Sequence, residues 1–170
     1  FGEWESVQRV PDSRLAPYIT RLSGWIERTT FSRRREVPHA GCVLIVNIEN
    51  RLRVSESGNG HCLNSYHSFF AGIHGGYVVT ESTGAAGGIQ VDFTPIGSYL
   101  FLGVPAHEMA DRVVHLEDVL GPEGRQLTAQ LEDTPDWETR FDLVEALVRR
   151  RLALAPSADE GVAWAWSRVE

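Results

Sequence analysis

Between Val91 and Gly121 the sequence reads VDFTPIGSYLFLGVPAHEMADRVVHLEDVLG, and its periodicity changes part-way. Up to Thr94, apolar Ile89, Val91 and Phe93 alternate with Gln90, Asp92 and Thr94. That is the two-residue period of a strand with two different faces. Past Pro95 the apolar positions Ile96, Tyr99, Leu100 and Gly103 fall at helical spacing. A β pattern therefore ends near Thr94 and a helical one begins. The α+β class and a boundary at 94/95 follow, with residues 1–94 as a β module and 95–170 as a helical module.

The first module holds at least five short strands with turns at close intervals, the mark of an antiparallel sandwich or barrel. Tyr18 to Thr30 is β-compatible, after a short helical turn at Ser13 to Pro17. GCVLIVNI, Gly41 to Ile48, is a continuous apolar run that suits a strand buried on both faces. RLRVSES alternates as a half-buried strand does, and Gly58-Asn59-Gly60 reads as a turn. HSFFAGI and YVVTES, joined at Gly75-Gly76, read as a hairpin, and Thr83 to Gly88 as a Gly/Ala-rich connection.

In the second module, Pro105 suits the first turn of a short helix through Met109, and a further turn begins at Asp118. PEGRQLTAQLEDT is helical, as is PDWETRFDLVEALVRRRLALA. In the latter, Trp137, Phe141, Val144 and Val148 form an amphipathic stripe. Thr134 is the expected N-cap with Pro135 at N1. Acidic Asp136 and Glu138 open the helix and Arg149, Arg150 and Arg151 close it, which suits its dipole. ADEGVAWAWSRVE begins another helix that the chain does not finish.

Several chemistries are not encoded in any recognisable form. The chain has 23 acidic residues against 16 basic ones, all Arg, for a net charge of −7. Phosphate binding needs clustered basic side chains, so this chain is a poor partner for nucleic acid. Six histidines, His39, His61, His67, His74, His107 and His115, include no H-x-H pair, and no metal or cofactor is expected. Cys42 follows His39 closely but opens a buried strand, where a cysteine acts as a small hydrophobe. Glu81 and Asp92 are candidates for a carboxylate pair across adjacent strands, or for separate hydrogen-bonding positions. No phosphate-binding loop, dinucleotide fingerprint or nucleophile elbow occurs. Two cysteines, no leader and no long apolar run point to a reduced, cytoplasmic protein away from membranes.

An ordered string of matches then adds to this reading: Gln90, Thr94, Pro95, Gly97, Leu102, Gly103, Val104, Pro105, Glu108, Met109, Val114, Leu116, Asp118 and Gly121. With Trp137, Arg140 and Phe141 in the long helix, and LAPYI, GW and EVP near the start, the chain resembles bacterial transcription regulators of the AraC/XylS family. The resemblance implies an N-terminal effector-sensing and dimerising module with a cupin-like β barrel. It also implies a separate helix-turn-helix module after residue 170, through which alone DNA would be bound. The chain starts without Met and stops within a helical pattern, as a piece of a longer protein would.

A small barrel can enclose one ligand. Apolar bulk with a few convergent polar groups nominates Trp25, Ile45, Asn47, Phe70, Tyr77, Gln90 and Asp92 as cavity residues. Core packing is the competing role for the aromatic ones, and an outward register would remove Gln90. The long helix either closes over the barrel or pairs with its copy. In a homodimer, Leu143, Leu147 and Leu154 supply the interface, with Arg149 to Arg151 set antiparallel against the partner's acidic first turn. The expected function is a non-enzymatic regulatory domain that binds a small-molecule effector. A stand-alone cupin-like binding protein or enzyme is the alternative.

Overall fold

The computed structural model describes residues 2–56, 58–155, 161 and 168, and the side chains of 59 and 60 lie outside the description. The helix expected from Ala158 onward falls outside it too. Among the described residues, eight strands form one antiparallel sheet: β1 Glu3–Arg9, β2 Ile19–Glu36, β3 Cys42–Asn47, β4 Leu52–Glu56, β5 Asn59–Tyr66, β6 Phe69–Ala71, β7 Val78–Phe93 and β8 Val113–His115. Among the described residues, four α-helices of a turn or more follow or flank the last strand: α1 Pro95–Leu102, α2 Leu116–Leu120, α3 Pro122–Asp133 and α4 Trp137–Leu154. The α+β class with strands first and helices after is the observed one.

The sheet order is β1-β2-β7-β3-β6-β8, with β4 and β5 branching from β7. Among the described residues its two edges do not pair with each other, so the sheet is open. Two long strands organise it. β2 shifts register between Thr29 and Ser32, opposite Gly84, whose φ of +72° suits a residue without Cβ. Beyond that irregularity β7 changes partner. It pairs with β3 over Gly88 to Phe93 and with β4 at Thr80 and Glu81.

The stretch Thr83 to Gly88 is therefore not a connection but the middle of β7. Its small residues serve close approach between backbones. A Cβ on Gly88 would lie 2.4 Å from the Val46 carbonyl oxygen, and one on Gly87 would lie 2.8 Å from that of Trp25. The expected hairpin of 67–73 with 77–82 does not form either. β6 pairs with β3 and β8, while the start of β7 pairs with β2 and β4. The Gly72 to Gly76 segment is a wide loop, and a Cβ on Gly72 would overlap the Met109 carbonyl. β1 has no counterpart in the sequence reading, because its residues are exposed or only half-buried.

At Thr94 the period changes as expected. The Thr94 hydroxyl accepts the Gly97 amide proton at 3.0 Å, Pro95 takes the first turn, and left-handed Gly103 ends α1. The cap of α4 is Asp136 rather than Thr134, since its carboxylate accepts from the Thr139 amide at 2.8 Å. One strand lies beyond the expected boundary: β8, which returns to pair with β6.

The two faces of the sheet differ. Leu22, Leu44, Val46, Phe70, Ile89, Val91 and Phe93 point outward and share one apolar cluster with Phe101, Leu116, Leu131, Phe141, Val144, Leu147 and Val148 of the helices. Phe93 and Phe101 stack with centroids 4.9 Å apart, and Trp137 lies over Gly24 so closely that no Cβ fits there. The alternate positions of the same strands point inward, to a concave face.

Candidate ligand-binding cavity

Strand alternation and register decide which residues meet on the concave face. Along β2, Arg21, Ser23, Trp25 and Glu27 alternate with the outward Leu22, Gly24 and Ile26. They stand opposite Asp92, Gln90, Gly88 and Ala86 of β7. Gln90 and Asp92 in turn stand opposite Ile45 and Val43 of β3, which pair with Phe69 and Ala71 of β6. Trp4, Ser6 and Gln8 of β1 continue the face on the other side. Apart from Gly88, the inward residues, with Leu52, Val54, His74 and Val113, line a cavity of about 860 Å³. Its lower wall is apolar: Ile45, Val54, Tyr66 and Phe69 form a second core cluster against which Trp25, Val43 and Leu52 pack.

The polar groups on the wall are mostly paired. The Gln90 amide donates to Asp92 Oδ1 at 2.7 Å, and Arg21 Nε lies 2.7 Å from Asp92 Oδ2. Arg34 donates to Glu27 Oε1 at 2.6 Å, and the Thr80 hydroxyl donates to Glu36 at 3.1 Å. Among the described residues, two wall atoms, Glu27 Oε2 and His74 Nε2, are shielded from solvent and have no hydrogen-bond partner. The Nδ1 of His74 lies 2.6 Å from the Gly72 carbonyl oxygen, which only accepts. Nδ1 therefore carries a proton and donates it to that oxygen.

Of the residues expected in a cavity, Trp25, Ile45, Gln90 and Asp92 are brought together here. Asn47 has the inward parity, opposite Gly88, but lies at the strand end, where its amide donates to the Asn50 carbonyl and stays off the cavity wall. Phe70 is on the wrong face: it is fully buried among the helices, with Phe93 and Phe101. Tyr77 lies outside, under the Arg35 guanidinium at 4.4 Å, beside a shallow basic hollow. Glu81 and Asp92 occupy the same strand and cannot pair across strands. Glu81 instead takes Arg33 and Arg53, each at 2.9 Å, from the strands on either side. Cys42 points into the helical layer, where burial pushes its thiol pKa up against the opposing effect of a Ser98 hydrogen bond. Among the described residues no three of His, Cys, Asp and Glu gather as metal ligands.

The dimer candidates separate in the same way. Leu147 is 3% exposed and belongs to its own chain's core, Leu143 is half-buried against it, and Leu154 is 79% exposed. The charges invoked for an antiparallel partner are engaged within the chain. Arg150 and Arg151 meet Glu123, Arg149 meets Glu145 and Asp12, and Arg9 meets Glu138 and Asp142.

The profile of a family described as a domain of unknown function, DUF6597, matches residues 7–115. The chain belongs to the DUF6597 family. No curated protein matches it. Among solved structures, a Momordica charantia 7S globulin is similar at 12% identity with a TM-score of 0.34. The match covers 85% of this chain and 42% of the globulin chain. The DUF6597 match runs from within β1 to the end of β8, so it includes the whole cavity wall except Trp4 and Ser6. Helices α2 to α4 lie beyond it.

Sequence reading missed Glu27, His74, Trp4 and Arg21. Once Trp25 is set inward, the period of two along β2 also sets Arg21, Ser23 and Glu27 inward, so that signal was present. His74 carried no such signal, because a loop places it.

Proposed function

We propose that this DUF6597 chain is the effector-sensing part of a transcription regulator of the AraC/XylS kind. The observation that carries the reading is the cavity of about 860 Å³ on the concave face, within the size range of small-molecule sites. Its walls set apolar residues such as Trp25, Ile45 and Phe69 beside polar and charged ones such as Gln90, Asp92 and Glu27, and most of it lies inside the family segment. The T-P-x-G, L-G-V-P and V-x-L-x-D-x-x-G strings supply the regulator half of the proposal. DNA would be read by a separate module, in the cytoplasm, where both free cysteines stay reduced. Homodimers of the assembled regulator belong to the same proposal, with Leu154 and half-buried Leu143 as the apolar surface that α4 offers.

We read the chain as a binder rather than an enzyme. Asp92 and Glu27 are already ion-paired with Arg21 and Arg34, and the Cys42 thiol is turned away from the cavity. The test is titration of small-molecule libraries against the indole resonances of Trp25. A hit should shift Trp25 and lose affinity about tenfold in Gln90→Ala, the loss of one well-placed polar contact. Binders that leave Trp25 unmoved and ignore Gln90→Ala would refute the cavity as the sensor. The chain alone is also expected to show no sequence-dependent band in a gel shift, and sub-micromolar specific binding would overturn the division of labour.

A further inference from the structure

Resting on that reading of the cavity, we propose that its ligand carries an organic ammonium or similar N–H-donating cation on an apolar body, with the charged head held by Glu27, Trp4 and Trp25.

Trp4 stands directly opposite Glu27 in the β1–β2 register, and Trp25 is the next residue along the same face of β2. Directly opposed and diagonal cross-strand neighbours are within reach of aromatic side chains. Both indoles line the cavity, and Trp4 is 64% exposed despite its size. Indole faces attract cations more strongly than any other side-chain ring. Glu27 is 9% exposed, and its carboxylate is half used: Oε1 takes Arg34, while Oε2 is shielded and unpartnered. The same β2–β7 ribbon shows what the complete arrangement looks like. Glu81 bridges two cations, with Oε1 on Arg33 and Oε2 on Arg53. Glu27 has the first cation of such a bridge and lacks the second.

The sign of the missing group follows from chemistry. Glu27 Oε2 is an acceptor only. It needs a donor, which a carboxylate or phosphate ligand does not bring. The guanidiniums of Arg21 and Arg34, which would welcome an anion, are already committed to Asp92 and Glu27. An ammonium head seated between the two indole faces lies beside the Glu27 carboxylate, whose shielded Oε2 must turn toward the cavity to receive it, and an apolar body continues toward Ile45 and Phe69.

The test uses three probes of one shape, benzylammonium, benzyl alcohol and benzoate, titrated into the 170-residue chain by calorimetry and by Trp indole resonances. Benzylammonium is expected to bind about tenfold or more tightly than benzyl alcohol, and benzoate more weakly still. Glu27→Gln should lower benzylammonium affinity about tenfold and leave benzyl alcohol unchanged. Trp4→Leu, at an exposed position that the fold does not need, should weaken only the cation and decides the matter if Glu27→Gln does not fold. Benzyl alcohol or benzoate binding as tightly as benzylammonium, with Trp25 shifted, overturns the cation and leaves the cavity reading standing. So does wild-type affinity in both variants. No saturable binding of any probe overturns both.

Discussion

The convex and concave faces of this sheet are made by the same strands, yet they are finished in opposite ways. On β7, Ile89, Val91 and Phe93 are sealed beneath α1 to α4 with essentially no solvent exposure. One residue away in each case, Gln90 and Asp92 face a cavity of about 860 Å³ and meet Arg21 and one another. The convex face has one solution, close packing, because apolar surface against apolar surface gains most when no space is left. The concave face leaves space and keeps polar atoms without partners, which costs stability and makes sense where a ligand supplies what is missing. Stability is thus concentrated on one side of the strands, and the proposed recognition on the other.

That contrast breaks most violently at Leu147. Leu147→Glu places a charge in the convex core, and a cost on the order of 5 kcal/mol or more is expected, enough to unfold the domain. Loss of the cooperative transition in circular dichroism checks it. A folded variant with weakened self-association would instead put Leu147 in an interface and dissolve the contrast. Phe141→Ala leaves a void under the sheet and should cost about 3–5 kcal/mol by urea denaturation. Gly24→Ala is subtler, because its Cβ would lie 2.5 Å from the Trp137 ring. Here α4 must shift, and about 1–3 kcal/mol is the expected loss.

Gln90→Ala sharpens the comparison from the concave side. It frees the Asp92 Oδ1 contact but opens no buried void, so its stability should stay within about 1 kcal/mol of wild type while ligand affinity falls. A larger loss in denaturation would mean that the concave face also carries the fold. The smallest effect concerns pH. Arg14 hydrogen bonds hold the Asp12 carboxyl below its usual range, and the Thr139 amide does the same for the Asp136 cap. A carboxylate whose pKa is lower folded than unfolded stabilises above the unfolded value, and the gain is lost as pH falls through the folded one. Urea midpoints should therefore be insensitive to these two groups from pH 7 to 5 and fall below about pH 4. Asp12→Asn and Asp136→Asn should flatten that acid limb.

What the sequence determined by itself was local. The change of period at Thr94-Pro95, the stripe of Trp137, Phe141, Val144 and Val148, and the alternation of Ile89 to Asp92 each depend on spacing within a few residues, and each appears in the fold where expected. The tertiary structure decided everything that needed a partner far along the chain. Thr83 to Gly88 looks like a linker until β2 and β3 approach on both sides, because only their carbonyls explain why no side chain fits. Phe70 and Trp25 are indistinguishable as aromatic residues in strands, and only the pairing of β6 with β3 and of β2 with β7 assigns one to the core and the other to the cavity. Leu147 is apolar beside an apolar stripe, and only the docking of α4 shows that it is already covered. Glu27 owes its ion pair to Arg34, seven residues away across the irregularity in β2, and its aromatic neighbour Trp4 to a strand the sequence hid. Side-chain direction is local and has a period; which surface that direction meets is a property of the whole sheet.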